Sequence, residues 1–147
     1  MRFPALRLSR PATLLIGCVI ALAGCSSVSL DEPIEARTWR LVNVYGTAVA
    51  PSGDAGADAQ VVFNNGQVSG SGGCNRITGS YQRTGSSMKI GPLASTRRAC
   101  VDATRTQVET SFLAALQGST HYSIVGSELM LIDGGGQTLA KLSSAAP

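Results

Sequence analysis

Two cysteines and the polar residues beside them are the strongest chemical candidates in this 147-residue sequence. Cys74-Asn75-Arg76 follows a glycine-rich stretch, and Thr96-Arg97-Arg98-Ala99-Cys100 begins about twenty residues further along. If the two cysteines pair, three arginines, an asparagine and a threonine share one neighbourhood. Guanidinium groups hold carboxylates and other anions in a bidentate way. The candidate anion-binding residues are therefore Asn75, Arg76, Thr96, Arg97 and Arg98.

A structural role is the competing interpretation of the same residues, and the one that we favour. Asparagine and threonine side chains often bond their own backbone in turns. Charged groups clustered at a protein surface are usually only solvated.

A disulfide between Cys74 and Cys100 is the expected state of the two cysteines. The chain has four cysteines, and Cys18 and Cys25 belong to the export signal described below, which leaves one pair for an oxidising compartment. Two thiols are too few for a metal site, and a redox pair usually has Cys-x-x-Cys spacing, which is absent here. On the chain-entropy account, closing this loop stabilises the fold by about 3 to 4 kcal/mol.

Catalytic chemistry has little support in this sequence. His121 is the single histidine, which excludes an HExxH zinc site and leaves one side chain to act as base for any nucleophile. The Gly-x-Ser-x-Gly elbow is absent, and GSGGCN lacks the Gly-Lys-Ser/Thr ending of a phosphate-binding loop. We therefore expect no enzyme activity, no metal and no cofactor.

Four aromatic residues allow two interpretations. Trp39, Tyr81, Phe112 and Tyr122 could surround a hydrophobic pocket, as in some small barrels. With seven aromatic residues in the whole sequence, we favour the view that these four form the core itself.

The N-terminus has the pattern of a lipoprotein export signal. Three arginines precede an uncharged stretch, PATLLIGCVIALAG, that is too short for a permanent membrane span. The stretch ends in Leu22-Ala23-Gly24-Cys25, which resembles the bacterial lipobox; an ordinary signal peptide with a chance cysteine is the alternative. We expect a signal peptide over 1–24, lipid on Cys25 and a flexible tether over 25–36. Ser26, in place of aspartate, indicates the outer membrane by analogy with Gram-negative sorting.

The charge of the processed chain excludes one class of partner. Three of the twelve basic residues lie in the signal segment, which leaves nine basic against nine acidic residues. Without a basic surface stripe, nucleic acid is not an expected partner. The expected contacts are the membrane, through lipid on Cys25, and a protein of the cell envelope. We expect a monomer.

Alternating apolar and polar residues predict an α+β domain over 37–143 and a disordered tail over 144–147. The prediction is a strongly curved antiparallel, barrel-like sheet of about eight strands, with one α-helix between strands five and six. Asn65-Gly66 is a strong hairpin signal between two strand-like runs. The helix covers 102–117, and Thr106-x-x-Glu109 resembles a capping box that would start it near Thr106.

Several motifs in fixed order resemble one known family, the META domain of HslJ-like heat-shock lipoproteins. The matching residues are Trp39-x-Leu41, Phe63, Gly70-x-x-Gly73-Cys74-Asn75-Arg76, Gly79-x-Tyr81, Thr96-x-x-x-Cys100, Glu109-x-x-Phe112-x-x-x-Leu116, Tyr122 and Leu129-x-Leu131. The resemblance implies an antiparallel barrel-like sheet with a helix, and a link to stress or antibiotic tolerance. It implies no defined reaction. Arg97-Arg98 is more basic than the usual residues at this point of the motif.

The first functional hypothesis is a non-enzymatic envelope lipoprotein with a binding or structural role. The alternative is a barrel that binds a small hydrophobic ligand or lipid among its aromatic residues. An envelope hydrolase is a third and poorly supported hypothesis, because the sequence offers no nucleophile–base pair.

Overall fold

The architecture is a closed antiparallel β-barrel with one helix, in a computed structural model that describes residues 34–144. The predicted antiparallel, barrel-like sheet is therefore confirmed. The predicted signal peptide, Cys25 and the tether as far as residue 33 lie outside the described residues, as do residues 145–147.

Eight strands form the ring, and two short strands attach to it. The ring closes because the last strand pairs with the first, so consecutive neighbours run β1-β3-β4-β5-β6-β8-β9-β10-β1. The elements are β1 (Thr38–Val44), β2 (Thr47–Ala48), a 3₁₀ turn (Ala55–Ala57), β3 (Ala59–Asn64), β4 (Gln67–Gly72), β5 (Arg76–Thr84), β6 (Ser87–Ile90), β7 (Ala94–Ser95), α1 (Ala103–Gly118), β8 (His121–Val125), β9 (Glu128–Ile132) and β10 (Thr138–Ser144).

The helix lies between the seventh and eighth strands, so its predicted place between strands five and six is wrong. The difference comes from β2 and β7, which pair with β1 and β5. A two-residue strand is too short to show an alternating pattern. Such a strand is recognised by its hydrogen bonds to a neighbouring strand, and the sequence does not show which strand that is.

The hairpin between β3 and β4 has the predicted Asn65-Gly66 turn, with both residues at positive φ. Further along β4, a Cβ atom on Gly70 would lie 2.0 Å from the carbonyl oxygen of Gln60. The glycine therefore permits a close approach of two backbones that a larger residue would prevent.

Strand β1 contains a bulge, and the inward-facing positions are odd-numbered before it and even-numbered after it. Trp39 and Leu41 are buried, but Val44 faces the core where strict alternation would place Asn43. The register shifts between Leu41 and Asn43 opposite β10, and an extra residue in a strand reverses the faces beyond it. The Asn43 side chain accepts a hydrogen bond from the Gly46 amide at 3.1 Å.

The helix begins at Ala103, one turn before the predicted capping box. Asp102 is its N-cap and accepts a hydrogen bond from the Arg105 amide at 2.8 Å. The capping box at Thr106 is therefore wrong, because Glu109 has other partners. Phe112, Ala115 and Leu116 of α1 enter the core. Within residues 34–144, no helix is both long enough and apolar enough to cross a bilayer.

The chain enters the barrel at the end that carries the β3–β4 hairpin, here called the hairpin end. Ile34 is fully buried, and its carbonyl accepts a hydrogen bond from the Trp39 indole at 2.7 Å. The Ala36 amide bonds the carbonyl of Phe63, close to the hairpin, at 3.3 Å. At the other margin Ser144 is buried in β10. The packed domain is therefore slightly wider than the predicted 37–143, because a lone apolar residue such as Ile34 gives no periodic signal.

The surroundings of Tyr81, at the hairpin end, predict that the free energy of unfolding depends on pH. Its hydroxyl donates a hydrogen bond to Glu35. Burial, and then the bond and charge of Glu35, raise the pKa of Tyr81 from 10.0 to about 12. The folded state thus favours the neutral phenol. Its stabilising contribution is complete below pH 10 and is lost as pH rises through about 12.

Urea unfolding at about pH 9 and about pH 11.5 tests this. Wild type should lose more unfolding free energy than Tyr81→Phe between the two values. Tyr45→Phe, at an exposed tyrosine, is the matched control and should behave as wild type. An equal loss in Tyr81→Phe and wild type would contradict the prediction.

Candidate functional site

The disulfide between Cys74 and Cys100 is present, with Cα atoms 5.6 Å apart. It joins the turn between β4 and β5 to the loop that leads from β7 into α1. The predicted neighbourhood of Asn75 and Thr96 therefore exists, and it lies at the end of β4 remote from the β3–β4 hairpin. We call this end of the barrel the helix end, because the N-terminus of α1 meets the β4–β5 turn there.

Asn75 is the centre of a closed set of hydrogen bonds, here called the Asn75 network. Its carbonyl oxygen accepts from the Thr96 hydroxyl at 2.8 Å and from the Arg98 amide at 2.6 Å. Its amide nitrogen donates to the Arg98 carbonyl at 3.1 Å and to Glu109 Oε1 at 2.7 Å. An asparagine side chain has two donors and two acceptor positions. All four are occupied, and Asn75 is only 4% exposed.

Glu109 supplies the one charged group of the Asn75 network. Its Oε2 accepts from the backbone amides of Asn75, at 2.7 Å, and Cys74, at 3.2 Å. Bonds to an ionised carboxylate are stronger than those between neutral groups. The side chain reaches this turn past Gly72, where a Cβ atom would lie 2.6 Å from Glu109 Cγ. The Glu109 carboxylate thus joins helix α1 to the β4–β5 turn, and the absence of a side chain on Gly72 leaves room for it.

The sequence contains a signal for Glu109 that the capping-box interpretation overlooked. Glu109, Phe112 and Leu116 are spaced three and then four residues apart, so all three lie on one stripe of α1. A carboxylate on the buried stripe of a helix requires partners, because an unpaired buried charge is unfavourable. A capping box would give Glu109 partners within its own helix, whereas the structure gives it partners on another element.

Of the three predicted arginines, only Arg76 lines a groove in the described structure. The side chains of Arg76, Arg97 and Arg98 are exposed, and none forms an ion pair with a described residue. Arg76 and Thr96 line an open groove of about 590 Å³ over β4, β5 and β7. Arg98 contributes its backbone to the Asn75 network, and Arg97 has a positive φ of 52°. Asn75 and Thr96 have structural partners, but these lie on other segments of the chain and not on their own backbone as expected.

Cys74, Cys100 and Glu109 are a group of three potential metal ligands among the described residues, with ligand atoms within 4.8 Å of one another. Both sulfur atoms belong to the disulfide, however, and metals bind the thiolate form of cysteine. Glu109 already accepts three hydrogen bonds. The oxidised protein therefore has no thiolate to offer at this point.

The four aromatic candidates belong to the core, and the histidine candidate lies at the surface. Trp39, Tyr81, Phe112 and Tyr122 all lie in the core and are at most 5% exposed. His121 is exposed at the start of β8, with Nδ1 2.9 Å from the hydroxyl of the adjacent Thr120. In the described part of the chain no carboxylate bonds this imidazole ring, so it lacks the group that orients a catalytic histidine.

Comparisons with known proteins bear separately on the family and on the fold. The family model described as META domain matches residues 32–146. A protein from Burkholderia xenovorans solved by NMR is 24% identical, with a TM-score of 0.61 over 99% of both chains. A DUF4847 family protein from Bacteroides vulgatus, solved by crystallography, is 20% identical, with a TM-score of 0.53 over 77% of this chain and 95% of that one. No curated protein matches the chain. At these identities the solved structures support the fold alone.

Removal of the Glu109 carboxylate should destabilise the domain. Glu109→Ala leaves two backbone amides and the Asn75 side chain without their acceptor, which costs about 2 to 4 kcal/mol of unfolding free energy. Gln107→Ala, at an exposed position of the same helix, should change it by less than about 0.5 kcal/mol. Denaturant unfolding of the disulfide-bonded proteins measures both. The network would not be important for stability if the two variants unfolded alike.

The arginine side chains, in contrast, should be dispensable for folding. Arg97→Ala combined with Arg98→Ala keeps the backbone groups that bond Asn75, so unfolding free energy should change by less than about 0.5 kcal/mol. The same double variant tests the anion-site hypothesis, by growth under envelope stress. Unchanged growth together with unchanged stability would eliminate that hypothesis, and a large loss of stability would contradict the structural prediction.

Proposed function

The chain belongs to the META domain family, and we propose that it is a membrane-anchored lipoprotein of the bacterial cell envelope with a non-enzymatic binding or structural role. Lipid on Cys25 provides the anchor, and the periplasmic face of the outer membrane is the proposed location. The proposed setting is stress or antibiotic tolerance, as the family resemblance implies.

The observation that carries this proposal is that the polar side chains of the motif are hydrogen-bonded within the protein. Asn75, Thr96 and Glu109 satisfy one another and the surrounding backbone beside a disulfide. Such a network makes the helix end rigid. A catalytic group needs at least one polar atom free to meet a substrate. The most distinctive residues of this family match therefore favour a scaffold that presents a surface, rather than a reacting centre.

The path of the chain agrees with an anchored domain. Ile34, the first described residue, is packed at the hairpin end. Eight residues, 26–33, separate Cys25 from Ile34 and can span about 28 Å at most. We propose that the hairpin end lies near the membrane and that the helix end, at the opposite end of β4, is the part available to soluble molecules.

A ligand inside the barrel has less support than a ligand on its surface. The four aromatic residues considered as pocket lining are packed in the core. A lipid in the interior would have to displace them, and large side chains lost from a core cost several kcal/mol each. The structure gives no specific observation that favours this second function.

Substitution of the lipidated cysteine tests the anchor. Cys25→Ser should abolish incorporation of labelled palmitate and block signal cleavage, because the substituted oxygen is not a substrate for lipid transfer. Cys18→Ser, in the same apolar stretch, is the matched control and should behave as wild type. Labelling and fractionation of whole cells measure both outcomes. Undiminished palmitate labelling of Cys25→Ser would refute the proposed anchor.

A further inference from the structure

The helix end carries an open cleft of about 470 Å³ that no motif of the sequence marks. It lies between the first turns of α1 and the chain that runs from β2 to the start of β3. Leu41, Val49 and Val108 provide apolar walls, and Asp58 and Arg105 provide charges. We call it the helix-end cleft. Its volume is within the range of sites for small organic molecules.

Small residues keep the helix-end cleft open. The lining contains four alanines and one glycine, namely Ala48, Ala50, Ala57, Ala59 and Gly73. None of these side chains extends beyond a methyl group, so the space between α1 and the β2–β3 segment stays unfilled. The surface is mostly apolar, which favours a ligand with a hydrophobic body.

Asp58 is the buried charge of the helix-end cleft. It is 9% exposed, and its Oδ1 accepts a hydrogen bond from the Ser52 amide at 2.7 Å. Among the described residues it has no cationic partner. A carboxylate withdrawn from water without a counter-ion is unfavourable, and an entering cation would relieve that penalty.

The arginine of the cleft is already engaged by another carboxylate. Arg105 Nε lies 3.7 Å from Asp102 Oδ2, and both side chains are substantially exposed. Asp58, Asp102 and Arg105 together have a net charge of −1. The cleft is therefore complementary to a ligand with one positive charge and poorly suited to an anion.

From this arrangement we propose that the helix-end cleft binds a small amphipathic amine, with its ammonium group at Asp58 and its apolar body against Leu41, Val49 and Val108. This inference deepens the proposed binding role and gives it a site and a ligand class. The described chain begins at the hairpin end, and the cleft lies at the opposite end of β4. A water-soluble amine reaches that position more readily than a lipid held in the bilayer.

Three probes that share one hydrophobic body test the proposal. They are phenethylamine, 2-phenylethanol and 3-phenylpropionate, which are cationic, neutral and anionic at neutral pH. The protein is residues 25–147 with Cys25→Ser, because the described residues close around their own core and contain the whole barrel. Amide chemical shifts in NMR titrations locate and measure binding. Phenethylamine should shift amides of residues 57–59, 73 and 103–108 and bind about tenfold or more tightly than the other two probes.

Two variants and one control make the result specific. Asp58→Asn keeps an acceptor for the Ser52 amide but removes the charge, and should weaken phenethylamine binding about tenfold. Ala48→Leu should occlude the cleft and reduce binding of all probes. Asp54→Asn, at an exposed aspartate of the same segment, should bind as wild type.

Each alternative outcome overturns the proposal. Equal binding of phenethylamine and 2-phenylethanol would show an apolar cleft without charge selection. Unchanged affinity in Asp58→Asn, or shifts confined to the groove that Arg76 lines, would place any amine site elsewhere. The lipidation of Cys25 does not enter this titration, so a failure here and a failure of the proposed anchor are distinguishable.

Discussion

The carboxylate of Glu109 is the interaction on which the helix end of the barrel depends. It accepts hydrogen bonds from the backbone of Cys74 and from both backbone and side chain of Asn75. Asn75 in turn holds Thr96 and the backbone of Arg98. The disulfide limits how far these segments can separate. The hydrogen bonds determine how they face one another, which a single covalent link does not.

The Asn75 network lies directly beside the helix-end cleft. Gly73 precedes the cysteine that Glu109 holds, and it lines the helix-end cleft together with Val108, the neighbour of Glu109 on α1. The Asn75 network and the cleft therefore share one helix and one turn. A molecule bound in the cleft would contact elements that the network already makes rigid, so little conformational entropy would be lost on binding. The closed ring of strands supports the same arrangement by leaving no free sheet edge in the barrel.

Predictions from local pattern succeeded where the signal was carried by a few adjacent residues. The Asn65-Gly66 hairpin, the long strands and the apolar stripe of α1 all have short sequence periods that backbone geometry dictates. The disulfide followed from elimination, because only two cysteines were left to pair. Failures came where a partner was distant. Strand β7 exists only through β5, and the face of Val44 depends on a bulge opposite β10.

The sequence by itself determined an antiparallel barrel-like sheet, one helix, and a cysteine pair that brings Asn75 and Thr96 together. Only the tertiary structure decided that Glu109 serves the β4–β5 turn instead of its own helix, since the two bonded residues are 34 positions apart. It also decided that Asp58 is buried beside an open cleft. The local sequence names neither the partner of Glu109 nor the surroundings of Asp58, because a carboxylate is the same residue in the sequence whether it lies in water or meets a distant amide. The chain must fold before burial and partners exist.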